Sequence, residues 1–222
     1  MSEAKYIKPE QSEINRVPTV IVDPHHEVFF YWALDYQRRA RNGSAEPAQL
    51  IHIDRHADND VTHHKLPKDL VAVSKRNLWR YTQNLWVGTF IIPATEYGIL
   101  RPSRIWFDPS QSPRDVRVYP ISSGEEDRRS CDQILADAKR YDGITWWDID
   151  VDAFDCIEKG QRLGEYGTID SRMQETEEFL REMPRPSFIS VALSQTPTTY
   201  VDPAKVEMLK GKTIEMLTRL TE

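Results

Sequence analysis

Two acidic clusters, each directly after a mostly apolar stretch, constrain this chain more than any other feature of its sequence. The first reads Asp-Arg-His-Ala-Asp at residues 54–58 and follows the stretch 50–53. The second reads Asp-Val-Asp-Ala-Phe-Asp at residues 150–155 and follows the stretch 144–149. Carboxylates that a fold brings together are costly to bury unless cations offset their charge. A site for two divalent metal ions is therefore the simplest arrangement that lets such a chain bury these carboxylates.

The spacing within each cluster predicts that its ligand-type side chains converge. In an extended chain, residues two apart point to the same face. Asp54, His56 and Asp58 would then share one face, and so would Asp150 and Asp152. Carboxylate and imidazole ligands suit Mn²⁺ or Mg²⁺, and they also admit Fe²⁺, Co²⁺ or Zn²⁺. Two such ions about 3.5–4 Å apart can share bridging carboxylates and hold a hydroxide that attacks a polarised carbon.

The order of apolar and amphipathic segments predicts an α/β fold. The chain of 222 residues suits one domain spanning residues 1–222. Because strands and helices alternate, we expect a three-layer α/β/α sandwich with a mainly parallel sheet. Strands are predicted at 17–22, 50–54, 85–93, 103–107, 144–149 and 188–193, and helices at 28–41, 127–141, 171–183 and 203–220.

Parallel strands place their carboxyl ends at one edge of the sheet, where ligands bind. His25, Asp54, Asp150 and Ser194 each follow a predicted strand. We therefore expect these four residues to meet at that edge. Among the neighbouring residues, Asp148 and Asp155 are candidates to orient a metal ligand from outside the first layer.

The composition argues against several classes of partner. The net charge of −6 and the isoelectric point near 5.6 predict no nucleic-acid partner and no anionic membrane. No apolar run approaches the roughly 20 residues that span a bilayer, and the polar start does not resemble a signal peptide. With only two cysteines, we expect a cytoplasmic protein with reduced thiols. The oligomeric state stays open, a homo-oligomer included.

Both acidic clusters resemble motifs of the arginase (ureohydrolase) superfamily. Residues 54–58 are similar to its Asp-Ala-His-Ala-Asp motif, and residues 150–155 to its Asp-Val-Asp-x-x-Asp motif. A third element of that superfamily is a histidine between an early strand and a helix, which corresponds here to His25 or His26. His25 lies nearer the predicted strand end. The short chain, the His-His-Glu stretch and the Tyr-Trp pair after it look most like the compact peptide arginases.

The resemblance implies a site, a cofactor and a reaction. Asp54 and Asp150 would bridge two Mn²⁺ ions, His25 (or His26) and Asp58 would complete one shell, and His56 and Asp152 the other. Asp54, Asp150 and His56 would be the catalytic residues. A metal-bridging hydroxide would attack the guanidinium carbon, release urea and leave ornithine. The substrate would be an arginine-containing precursor peptide, so that the reaction is a post-translational modification in the maturation of a ribosomally made peptide (RiPP).

The chain also departs from the arginase pattern in its recognition residues. It has no His-Gly motif after the first cluster, and His63 and His64 are the nearest substitutes. The late strand is followed by Ser194 and Gln195, the candidate substrate-binding residues, instead of a glutamate. Two other functions therefore remain open: a metal-dependent amidohydrolase or deacylase of the same fold, which usually keeps one metal ion, and a non-catalytic metal-dependent binding protein.

Overall fold

The computed structural model describes residues 8–60, 69–110, 116–120, 131–158, 161–162 and 167–222. In chain order these form β1 (Glu10–Ile14), β2 (Val17–Val22), α1 (Val28–Arg41), β3 (Gln49–Ile53), α2 (Lys75–Thr82), α3 (Ile91–Glu96), β4 (Ser103–Phe107), β5 (Val116–Pro120), α4 (Cys131–Lys139), β6 (Thr145–Asp150), β7 (Ile157–Glu158), β8 (Gln161–Arg162), α5 (Ile169–Arg181), β9 (Phe188–Ala192) and α6 (Val206–Thr221). Short 3₁₀ turns lie at His25–Glu27, Leu70–Ala72 and Val151–Ala153.

The main sheet has the strand order β1-β2-β9-β6-β3-β4-β5. The five central strands run parallel to one another, while β1 and β5 pair antiparallel at the two edges. β7 and β8 form a separate antiparallel pair. The predicted α/β fold with a mainly parallel sheet is therefore confirmed.

Helices cover both faces of the sheet, because each central strand is apolar on both sides. Neighbouring strand residues point to opposite faces, and Trp146 and Trp147 accordingly belong to two different hydrophobic clusters. Trp147 packs in the cluster that contains residues of α4, α5 and α6. Trp146 packs in the cluster that contains residues of α1, α2 and α3. The sheet thus lies between two helical layers.

Most predicted elements are present, with bounds shifted by a few residues. The strands at 17–22 and 103–107 and the helix at 28–41 begin and end where the sequence indicates. The helix predicted at 127–141 corresponds to α4, although residues 127–130 lie outside the described part. The sequence did not indicate β1, whose first four residues are exposed at the sheet edge, or β5, which lies in a proline-rich stretch.

The strand predicted at 85–93 is wrong. Residues 86–89 form a turn, in which Thr89 N–H donates to the Trp86 carbonyl at 2.9 Å, and α3 begins at Ile91. Phe90 and Ile91 are fully buried in the cluster with α1. A short apolar run fits a buried helix as well as a buried strand, and periodicity alone does not separate them.

No helix in the described ranges has the length and apolar character that crossing a bilayer requires.

We predict that Ile189→Ala lowers the free energy of unfolding by about 2–5 kcal/mol, because it leaves a cavity in the core. Ile189 is fully buried in β9. Met208→Ala, at a side chain that is 40% exposed, is the control and should change it by less than about 0.5 kcal/mol. Urea denaturation measures both, and equal effects of the two substitutions would contradict the placement of β9 in the core.

Candidate metal centre

His25 is the centre of a buried cluster at the carboxyl ends of the strands. It lies in the 3₁₀ turn between β2 and α1, with its side chain only 2% exposed. Its Nε2 lies 3.0 Å from Oδ2 of Asp148. Its Nδ1 faces three carboxylate oxygens, at 3.2 Å from Asp54 and at 3.0 Å from both Asp58 and Asp150.

This arrangement leaves a gap that a cation fits. When Nε2 carries the proton that is donated to Asp148, Nδ1 presents a lone pair toward three anionic oxygens. In the described part of the chain, His25 Nδ1 and Asp54 Oδ2 are both buried without a hydrogen-bond partner. A divalent ion between them would satisfy both atoms and offset the carboxylate charge. The residues present therefore fit a metal ion at this point.

A second group of ligand-type side chains lies beside the first and shares two aspartates with it. Asp54, Asp150 and Asp152 each offer an oxygen within 4.8 Å of the others. His56 Nδ1 lies 2.9 Å from Asp152 and 3.7 Å from Asp54. Because Asp54 and Asp150 also face His25, these two aspartates belong to both groups and could hold a metal ion in either.

The pKa shifts report how much negative charge is concentrated here. Burial raises the pKa of Asp54 well above its usual value, and the charges of Asp58, Asp152 and Asp150 raise it further. Burial and the charge of Asp150 raise the pKa of Asp152 to about 6. Burial lowers the pKa of His25, but Asp148 and Asp150 outweigh it and the pKa ends well above the usual value. The raised pKa values of Asp54 and Asp152 thus reflect their burial among neighbouring carboxylates.

The side chains converge for a different reason from the extended geometry that the sequence suggested. β3 ends at Ile53, and Asp58 adopts a left-handed conformation with φ of 48°. Asp152 lies in the 3₁₀ turn Val151–Ala153, not in a strand. Asp54 Oδ1 accepts from the His56 amide at 2.6 Å, and Asp150 Oδ1 accepts from the Asp152 amide at 3.1 Å. One oxygen of each leading aspartate stabilises its own turn, and the other faces His25.

His26 does not join the cluster formed by the described residues. It is 8% exposed and belongs to none of the groups whose ligand atoms lie within 4.8 Å of one another. Burial lowers the pKa of His26 to about 4, and the charge on His25 lowers it as well. The structure therefore separates the two histidines, with His25 inside the cluster and His26 beside it.

A second layer of hydrogen bonds holds the ligands. Asp148 Oδ2 contacts both His25 and His52 Nδ1, the latter at 2.9 Å, while Ser190 Oγ donates to Asp148 Oδ1. Trp32 Nε1 donates to Ser190 Oγ at 3.3 Å. Burial raises the pKa of Asp148, but His25 and His52 hold it well below its usual value. Asp148 therefore stays ionised and fixes the orientation of His25.

Two other residues of the acidic motifs point to structural partners. Asp155 Oδ2 forms an ion pair with Lys205 Nζ at 2.6 Å. This oxygen therefore orients a lysine and not a residue of the cluster. Arg55 contacts Ser110 Oγ, and its Nη1 lies 3.6 Å from Asp108 Oδ2. Arg55 thus pairs with a carboxylate outside the cluster.

The two candidate substrate-binding residues take different positions. Ser194 lines the cavity above the cluster and donates its hydroxyl to Asp150 Oδ2. Gln195 is buried, and its Nε2 donates to the Val201 carbonyl at 2.9 Å. It is not among the residues that line the cavity, because this hydrogen bond turns it into the loop after β9. The structure thus places Ser194, and not Gln195, at the cavity.

The cavity has a volume of about 250 Å³ and opens above the cluster. Sequence reasoning missed Tyr200, whose ring lies 4.9 Å from that of His56. Its backbone is fixed, since Tyr200 N–H donates to the Ser194 carbonyl at 3.0 Å and its own carbonyl accepts from Ile157 at 2.6 Å. No local motif marks this residue.

His63 and His64 lie outside the described residues. The described lining consists of His25, His56, Ala57, Asp58, Asn59, Asp60, Trp86, Val87, Gly88, Asp150, Asp152, Ser194 and Tyr200.

We predict that Asp148→Asn weakens Mn²⁺ binding by about 10–100-fold, because His25 and His52 lose the anionic acceptor that orients them. Calorimetric titration with Mn²⁺ measures the affinity, and circular dichroism checks the fold. Asp142→Asn is the matched control, since Asp142 is exposed near the amino end of β6, away from the cluster. Equal affinity in both variants would contradict the role of Asp148.

Comparison of this chain with protein-family models gives no match, and comparison with curated proteins gives none either. A function is therefore inferred from the residues of the site. The cluster of histidine and aspartate around His25 is compatible with a metal site, and this chemistry limits the functions that the chain can have.

Proposed function

We propose that this protein is a dinuclear manganese hydrolase of the arginase type, which converts the arginine of a precursor peptide into ornithine with release of urea. The observation that carries the proposal is His25 Nδ1, which faces Asp54, Asp58 and Asp150 at 3.0–3.2 Å beside a second group that shares two of these aspartates. The parallel sheet, with this cluster at its carboxyl end, supports an arginase-like fold.

The donor set suits manganese. Oxygen atoms of aspartate predominate, with one imidazole nitrogen for each proposed position, and such ligands favour Mn²⁺ or Mg²⁺ over softer ions. Two bound ions would supply the Lewis acidity that activates a water molecule for attack on a polarised carbon. Asp54 and Asp150 would hold both ions, His25 and Asp58 one of them, and His56 and Asp152 the other.

The side chains around the cluster would orient the reacting groups. The hydroxyl of Ser194 fixes the Oδ2 atom of Asp150, and Asp148 fixes His25. His56 and Tyr200 line the cavity together. The cavity of about 250 Å³ is smaller than most pockets for whole small ligands, which are about 300–1,000 Å³. This size favours the entry of a single side chain of a peptide.

A zinc-dependent deacylase is the second candidate, and one observation favours it. Cys156 offers a sulfur that lies within 4.8 Å of ligand atoms of His56 and Asp152. Thiolate is a soft ligand that suits Zn²⁺. Such an enzyme would hold one zinc ion per chain, whereas the arginase-type centre would hold two manganese ions.

We predict that the protein loaded with Mn²⁺ and desalted retains close to two ions per chain and releases urea from an arginyl peptide. Asp54→Asn should abolish urea release and lose one or both ions, since it removes a bridging charge. Elemental analysis and a colorimetric urea assay measure the two quantities, with Asp142→Asn as the control.

Three results would contradict this function. No urea from arginyl peptides or free arginine would reject the guanidine reaction. One zinc ion per chain would favour the deacylase. An Asp54→Asn variant that keeps both ions and full activity would reject the bridging role of Asp54.

A further inference from the structure

Carboxylates line the cavity, and the described residues place no lysine or arginine there. Asp58, Asp60, Asp150 and Asp152 all border it, and none of the described lining residues is lysine or arginine. An anionic substrate would be repelled from such a cavity, and a cationic one would be attracted.

Two divalent ions would offset the negative charge of all of these carboxylates except that of Asp60. The four aspartates that face the two proposed positions, Asp54, Asp58, Asp150 and Asp152, carry four negative charges when ionised. Two divalent ions carry four positive charges, and neutral imidazoles add none. Asp60 does not belong to any ligand group found in the described residues. Among the described lining carboxylates, Asp60 is therefore the one whose charge two divalent ions would leave uncompensated.

The position of Asp60 is fixed by the turn that follows α2. Its amide N–H donates to the Gly88 carbonyl at 2.8 Å. Its carboxylate lies over Gly88, since a Cβ added there would be 3.1 Å from Asp60 Oδ2. Asp60 is exposed and forms no ion pair within the described part of the chain. Among those residues, the carboxylate is thus held at the cavity without a basic partner.

The same turn presents an exposed aromatic ring to the cavity. Trp86 lines it, although 53% of the residue is exposed. The turn is closed by two hydrogen bonds, from Trp86 N–H to Thr89 Oγ1 at 2.8 Å and from Thr89 N–H to the Trp86 carbonyl at 2.9 Å. Tryptophan is the best aromatic partner for a cation, and a guanidinium also stacks on its plane.

We propose that Asp60 and Trp86 select the substrate by its cationic side chain, with Asp60 pairing with the guanidinium and Trp86 stacking on it. This inference rests on the proposed function for the identity of the cation as guanidinium. Asp60 is then a specificity residue outside the metal centre.

The test compares Asp60→Asn with the wild-type protein, both loaded with Mn²⁺. We expect KM for an arginyl peptide to rise about 10–100-fold, because a charged hydrogen-bonded pair is lost. We expect kcat to change less than about threefold, and Mn²⁺ stoichiometry to stay the same, since Asp60 holds no ion. Asp142→Asn should leave KM unchanged. Trp86→Leu should raise KM less than Asp60→Asn does.

A binding measurement separates this inference from the proposed function. Calorimetric titration measures how tightly the Mn²⁺-loaded protein binds an arginyl peptide, or the same peptide with neutral citrulline in place of arginine. Preference for the arginyl peptide that disappears in Asp60→Asn supports the inference even if no urea forms.

Urea release with an unchanged KM in Asp60→Asn would overturn the inference and leave the proposed function standing. Loss of Mn²⁺ from Asp60→Asn, or equal binding of both peptides to the wild-type protein, would also overturn it.

Discussion

The contact between the Asp148 carboxylate and the His25 imidazole determines how the side chains of the whole cluster are oriented. It holds Nε2 of His25 against Asp148 and so directs Nδ1 toward the aspartate cluster. Asp148 also accepts from His52 and Ser190, which are its cross-strand neighbours in β3 and β9. Trp32 of α1 donates to Ser190, so that these three cross-strand neighbours are linked to a helix. A shift of one residue in strand register would turn the side chains of His52, Asp148 and Ser190 to the opposite face of the sheet. The register of the strands and the orientation of His25 are therefore coupled.

The same sheet edge concentrates buried carboxylate charge. Burial and mutual repulsion raise the pKa of Asp54 and Asp152, which means that the ionised cluster opposes folding in the absence of cations. A metal ion that binds the folded chain would recover this energy, so metal binding and stability are linked. The hydrophobic layers on both faces of the sheet stabilise the fold and offset the cost of burying this cluster.

The sequence predicted what depends on local pattern and missed what depends on tertiary packing. The strands at 17–22 and 103–107 were predicted to the residue because prolines mark their ends, Pro24 after the first and Pro102 and Pro109 around the second. The carboxylates that meet around His25, those of Asp54, Asp58 and Asp150, belong to the two motifs. The turn at Asp58 did not, because its positive φ is not encoded by alternation. The inward direction of Gln195 depends on a carbonyl of Val201 six residues away, which no local pattern indicates.

The failed strand at 85–93 occupies the place where recognition is proposed, and one physical cause accounts for both. Phe90 and Ile91 are drawn into the core beside α1, which bends the chain and leaves Trp86 exposed on a turn. A strand would have buried that ring within the sheet, but the turn presents it to the cavity and anchors Asp60 through the Gly88 carbonyl. The cluster depends on the register of the sheet, whereas this turn depends on loop packing. We therefore expect substitutions in the turn to leave the cluster of aspartate and histidine side chains around His25 in place.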